Sequence, residues 1–218
     1  VAWCQWLAQA LSITPQQAAA RVALVMSGGT EGVLSPHFTV FTRRRADTAA
    51  AGKRLVIGSA HTRDFAPHEL GRLAQAQATA DAVHAAMADA GIGDPADVHF
   101  VQIKCPLLTS AKVQAALDAG TPPVTRDTYE SMGWSRGASS LGVALALGEV
   151  AAAELSDAAI LDDWTLHSGR ASASAGIELD GNVVLVLGEA EGSTSDLRIA
   201  HTVMQDAVDA ASVRTLLR

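Results

Sequence analysis

A lysine that closes an apolar run is the first residue with chemistry to offer. Lys104 ends the alternating stretch "HFVQIK", and Cys105-Pro106-Leu107-Leu108 behind it gives an ammonium group little polar cover. Lysines at strand ends commonly snorkel to water. A desolvated lysine instead gives up its proton more readily, from a reference near ~10.4 toward about 7–8 in catalytic examples. As a free amine it can draw the proton from a serine hydroxyl, the Ser-Lys variant of nucleophilic catalysis. Ser174 in "SASAGIE" suits the other half of such a pair. Small neighbours let a ligand approach the backbone there, and Gly176 can open a turn with free N–H groups for an oxyanion. The plainer reading is a strand-end serine tying down a turn. Ser172 stays open as an alternative, and Ser27 in "MSGGTEG" has the same setting with two glycines. Arg136, between Gly133 and Gly137, fits a loop at the start of a helix with its planar fork toward a carbonyl-rich ligand. It also reads as an ordinary surface arginine.

Other candidates are weaker. "GWSRG" (Gly133 to Gly137) satisfies the G-x-S-x-G pattern of a nucleophile elbow, which would expose Ser135 on a strand-to-helix turn. The preceding "TRDTYESM" is too polar for the buried central strand an elbow needs, and the motif alone is unspecific. An esterase built on Ser135, with Asp162 or Asp163 and His167 or His201, is therefore the least favoured enzyme reading. The seven histidines are scattered without H-x-x-x-H or Cys/His spacing, so no metal is expected among them. Glu31 and Glu178 read as residues that hold turns together.

These residues must be positioned by alternating helices and strands. An opening helical segment runs to about Ala23, restarted by Thr14-Pro15 as cap and first helical residue. "VALVMSGG" and "HFTVFT" read as strands, as does "KRLVIGSAHT". "AQAQATADAVHAAMADAGI" is a helix stopped by Gly91, followed by the strand "DVHFVQIKCP". Ser110 to Ala119 forms a short helix, and "ASSLGVALALGEV" an apolar one. "ASASAGIELDGNVVLVLGE" gives two strands around an Asp180-Gly181-Asn182 hairpin signal. A faint repeat links "VMSGGTEGVLSPHFTVF" to "SASAGIELDGNVVLVLG": Ser27 matches Ser174, Gly29 matches Gly176 and Glu31 matches Glu178. Self-similarity of that spacing points to two copies of one α+β unit.

Composition narrows the partners. The 218 residues are 49% hydrophobic with a net charge of −7, enough for a sizeable core in one large or two small domains. "TRRRAD" (Thr42 to Asp47) is the lone basic run, a solvated loop, so no nucleic-acid partner is expected. Two cysteines, Cys4 and Cys105, suggest a reducing cytoplasm instead of a disulfide framework. The longest apolar stretch, "SSLGVALALGEVAAAEL", carries Glu149 and Glu154 and reads as a buried helix, so no membrane partner is expected. Both chain ends fall inside helical patterns and look cut.

Four long segments carry a resemblance. "MSGGTEGVLSPHFTVFT", "DPADVHFVQIKCPLLTS", "DTYESMGWSRGASSLGVALALGEV" and "SASAGIELDGNVVLVLG" closely resemble the cyanuric acid hydrolase / barbiturase family, with cyanuric acid hydrolases the nearer group. The resemblance implies an α+β fold of three similar strand-helix repeats around a pseudo-threefold axis, each repeat giving a Ser-Lys pair and an Arg to a central site. It implies hydrolytic opening of cyanuric acid to carboxybiuret, which loses carbon dioxide to give biuret, without a cofactor. Lys104 then falls on the catalytic lysine and Ser174 on the nucleophile. Arg136, Ser27, Gly28 and Ala175 fall on substrate-binding positions. By the same matching, residues 1–46 are the later part of the first repeat and 47–190 the second, catalytic repeat. Residues 191–218 are a linker and the start of a third repeat that is otherwise absent, together with the structural metal site some members carry there. Open sheet edges favour assembly, so a homo-oligomer, a tetramer, is expected. If the chain ends at Arg218, inactivity is expected. Two readings stand beside the cyanuric acid hydrolase: a barbiturase acting on barbituric acid, and a truncated, non-catalytic small-molecule-binding module.

Overall fold

The computed structural model describes residues 2–25, 39–44, 48 and 51–217. Two short helices come first, α1 (Ala2–Leu11) and α2 (Pro15–Arg21). Thr14 separates them by a reciprocal cap. Its hydroxyl accepts from the Gln17 N–H at 3.1 Å while the Gln17 side chain accepts from the Thr14 N–H at 2.9 Å. The remaining helices are α3 (Leu73–Ala90), α4 (Ser110–Asp118), α5 (Thr128–Ala146) and α6 (Ala210–Leu216).

The strands are β1 (Arg54–His61), β2 (Val98–Pro106), β3 (Ala171–Gly176) and β4 (Val183–Ala190). They form one mixed sheet in the order β1-β4-β2-β3. β4 runs antiparallel to both β1 and β2, while β3 lies parallel to β2 on the edge. A parallel pair needs a long crossover, and here it is the segment from 107 to 170 that carries α4 and α5. The expected hairpin at Asp180-Gly181-Asn182 is therefore not one. The chain leaves β3, passes β2, and enters the sheet on its far side as β4. The chain does bend at Asp180 and Gly181, but the strand that follows pairs with β1 and β2.

Two further expectations need correction. Residues 39–42 of "HFTVFT" are not strand, and Val40 and Phe41 lie exposed. The strand expected at "VALVMSGG" is not formed at 22–25, and the rest of it lies outside the described residues. "TRDTYESM" is not a polar lead-in, because α5 begins at Thr128, where the Asp127 carboxylate accepts from the Glu130 N–H at 2.8 Å.

The alternation of each strand sorts its side chains onto two faces. Val101, Ile103 and Cys105 of β2, Val184 and Val186 of β4, and the three alanines of β3 meet α3 and α5 in one apolar core. The two helices cross closely at Gly142. A Cβ there would stand 2.6 Å from the Thr79 Cβ and against the Ala76 carbonyl, so only glycine allows the approach. The opposite face carries Gln102 and Lys104 of β2, Ser172 and Ser174 of β3, and Val183, Leu185, Leu187 and Glu189 of β4. No helix among the described residues is long and apolar enough to cross a membrane.

Candidate active site

Lys104 is the penultimate residue but one of β2, and its burial follows from where the sheet puts it. The strand's flanking partners at that level are Ser174 on β3 and Val183 on β4. Only 5% of Lys104 is exposed. Its ammonium nitrogen donates to the Ala175 carbonyl at 3.1 Å. Parallel register pairs Lys104 with Ser174, so the two side chains leave the sheet on the same face of neighbouring strands. Ser174 Oγ is buried and has no hydrogen-bond partner among the described residues. A buried hydroxyl ordinarily finds one, and leaving it unmade costs about 1–3 kcal/mol. Ser172, the alternative, lies opposite Gln102, whose side chain donates to the Ser172 carbonyl at 3.0 Å. Register thus selects Ser174 as the serine facing the lysine. Ser174 sits within β3 and not in the turn expected at Gly176.

From the other side of the sheet, Cys105 reinforces the same place. Its thiol donates to the Ser174 carbonyl at 3.4 Å and is fully buried. Burial pushes this thiol upward, against the Ser135 and Ser139 hydroxyls, Lys104 and Arg136, and it stays a hydrogen donor. Beneath it runs a closed polar network. Gln75 Nε2 donates to Ser135 Oγ at 2.8 Å and to Ser139 Oγ at 3.1 Å. Asn182 Nδ2 donates to Thr79 Oγ1 at 2.8 Å and to Ser139 Oγ at 3.0 Å. Gln75 Oε1 accepts from the Gly71 N–H at 2.7 Å. Nothing in the sequence signals this network, since its members lie on α3, on α5 and in the turn before β4.

Ser135 therefore is no nucleophile. It is fully buried inside α5, where it accepts from Gln75, so the elbow reading is overturned. Arg136, the next residue, also lies within α5 and not in a loop at its start. It is exposed, and its Nε donates to the Met132 carbonyl at 3.1 Å, within its own helix. The structure thus brings together Lys104, Ser174 and Ala175, while Arg136 hydrogen-bonds to none of them among the described residues. Ser27, Gly28 and Glu31 lie outside the described residues.

Among the described residues, Glu178 makes no hydrogen bond or ion pair that would hold its turn. That work is done by neighbours: Lys112 Nζ donates to the Leu179 carbonyl at 3.1 Å and pairs with Asp180 at 2.6 Å. The Phe65 N–H donates to the Asp180 carbonyl at 2.8 Å, and the Asn182 N–H donates to Thr62 Oγ1 at 2.8 Å. Elsewhere, His99 and His201 meet Nδ1 to Nδ1 at 2.9 Å, a pairing invisible in sequence because 102 residues separate them. Burial and His201 hold His99 below the usual histidine range. Among the described residues, no three His, Cys, Asp or Glu side chains cluster as a metal ion would need.

Comparison with known proteins agrees with this fold. The profile of the family described as amidohydrolase ring-opening protein matches residues 1–218. The chain is 60% identical over 210 residues to a cyanuric acid amidohydrolase of Pseudomonas sp. (strain ADP), covering 95% of this chain and 58% of that protein. It is 59% identical over 220 residues to a cyanuric acid amidohydrolase of Bradyrhizobium diazoefficiens, covering 100% and 59%. A solved cyanuric acid hydrolase superposes with a TM-score of 0.89 at 54% identity, covering 99% of this chain and 60% of its own. The cyanuric acid hydrolase of A. caulinodans gives 0.86 at 55% identity, covering 92% and 56%. The chain thus spans somewhat under two thirds of the length of the relatives it matches. By profile, identity and fold, it belongs to the ring-opening amidohydrolase family.

Proposed function

We propose that this chain carries the catalytic pair of a cyclic amide hydrolase that opens cyanuric acid to carboxybiuret. The observation that carries the reading is the buried Lys104 in register with Ser174, whose hydroxyl has no partner among the described residues. The names of the relatives support the substrate.

In its uncharged form the Lys104 amine has two N–H donors and one lone pair. A swing from the Ala175 carbonyl toward Ser174 Oγ, on the same face, lets the lone pair take the hydroxyl proton. The serine oxygen adds to a ring carbonyl, and the negative charge that develops is met by backbone N–H groups near Ala175 and Gly176. β3 is an edge strand, so half its backbone groups point away from the sheet. The ring C–N bond then breaks, the lysine returning its proton to the leaving nitrogen. The whole ring-opened substrate remains as a carbamate ester on Ser174. Water attacks that ester, with Lys104 again as base, and releases carboxybiuret and the free serine. Arg136, with its outer nitrogens unpartnered among the described residues, is the group to grip a second carbonyl once substrate is present.

The test is turnover of cyanuric acid to biuret by the wild-type protein and by Ser174→Ala. The variant should lose activity by at least about a thousandfold. Residual activity within tenfold of wild type would remove Ser174 from the mechanism, and binding without product would make the chain a binder only.

A further inference from the structure

The glycine at 176 needs an explanation that backbone conformation does not supply. Its φ is not positive, and it is buried at the end of β3. A Cβ added there would lie 2.6 Å from Glu178 Cδ and Oε1 and closer still to Oε2. Glycine is present because the Glu178 carboxylate occupies the place a side chain would take. Alternation along β3 puts that place on the face of Ser174 and Lys104, two residues or about 7 Å along the strand.

The carboxylate has no hydrogen-bond or ion-pair partner among the described residues, and the turn it belongs to is pinned by Lys112, Phe65 and Thr62 instead. The glycine and the glutamate also recur together in sequence, as Gly29 and Glu31.

We propose that Glu178 is the substrate N–H acceptor of this site, a specificity residue that reads the donor edge of a cyclic imide. The proposal rests on the cyclic amide reading above. A cyclic imide alternates carbonyl acceptors with N–H donors around its ring. Arg136 and the backbone N–H groups are donors and address the carbonyls, while the lone pairs of Lys104 and Ser174 are committed to the proton transfer and the attack. An ionised glutamate is acceptor-only, and its bond to an N–H is charge-assisted. A six-membered ring attacked at one carbonyl has an N–H directly across it, which suits a carboxylate about 7 Å along the strand from the attacking serine.

The experiment compares the full chain with Glu178→Gln and Gly176→Ala. Calorimetric titration and steady-state kinetics would use cyanuric acid and singly N-methylated cyanuric acid. Glu178→Gln should weaken cyanuric acid binding by about tenfold or more, with kcat changed less than about threefold. It should also narrow the preference for the unmethylated ring. Gly176→Ala, which displaces the carboxylate, should reproduce the weakening. Unchanged binding in Glu178→Gln overturns the proposal, as does an equal loss for both ligands together with a lowered melting temperature, the mark of a structural role. No binding of cyanuric acid by the wild-type chain would instead sink the cyclic amide reading itself.

Discussion

The two faces of the sheet treat their polar groups in opposite ways. On the helix-covered face, Gln75, Thr79, Ser135, Ser139 and Asn182 are buried and every side chain is bonded to another. On the other face, among the described residues, Ser174 Oγ is buried with no partner and Lys104 is buried with one carbonyl for company. Both faces belong to the same strands, and adjacent residues of β2, Lys104 and Cys105, point one to each. A satisfied buried network fixes structure. An unsatisfied buried pair costs stability, and such sites cluster where chemistry is done. The difference separates what holds the molecule together from what it uses.

Substitutions should split along that line. Lys104→Met keeps the length and apolar stem while removing the amine, so turnover should fall by about a thousandfold or more. Its melting temperature should hold or rise, because a poorly covered polar group has gone. A large drop in thermal stability would show that Lys104 is structural. Asn182→Ala is the mirror experiment. It removes the bonds to Thr79 and Ser139 and leaves a gap in the buried network, and denaturant unfolding should lose about 1–3 kcal/mol. Equal stability would mean the network is not closed in solution.

A smaller effect falls in the short helical turn before α3. Glu69 accepts a bidentate bond from Arg63 at 2.5 and 2.7 Å and a third from the Ala66 N–H at 2.8 Å. The Arg63 bond above all holds its carboxyl down at about 2. Because the folded value lies below the ordinary one, this stabilisation is complete above pH 4.5 and is lost as pH falls toward about 2. Glu69→Gln should flatten that part of the acid unfolding curve and leave neutral-pH turnover unchanged. An identical acid limb in the variant would show that the pair contributes nothing.

Much of this contrast was legible in the residues. Lys104 declared itself by ending an apolar run, and Thr14 and Gly91 announced their helix ends, since capping is local chemistry. Ser174 could not be told from Ser172, because choosing between them takes the register of β3 on β2. The Asp180-Gly181-Asn182 signal points to a hairpin, but such a turn does not say which strand its chain will join. The Ser135 motif misled for the same reason: five residues carry no information on the burial that Gln75 and Cys105 impose from elsewhere. In the sequence Glu178 stands out only as one member of a repeated pattern. Its place against Gly176 emerged from the fold.

The most direct test of the account is a trapped adduct. The protein is mixed with cyanuric acid, quenched in acid, digested and examined by mass spectrometry. The account predicts a peptide carrying Ser174 heavier by one whole substrate molecule, accumulating when hydrolysis is slow and absent in Ser174→Ala. The same adduct on Ser172, Ser135 or Cys105, or undiminished biuret formation by Ser174→Ala, would contradict it.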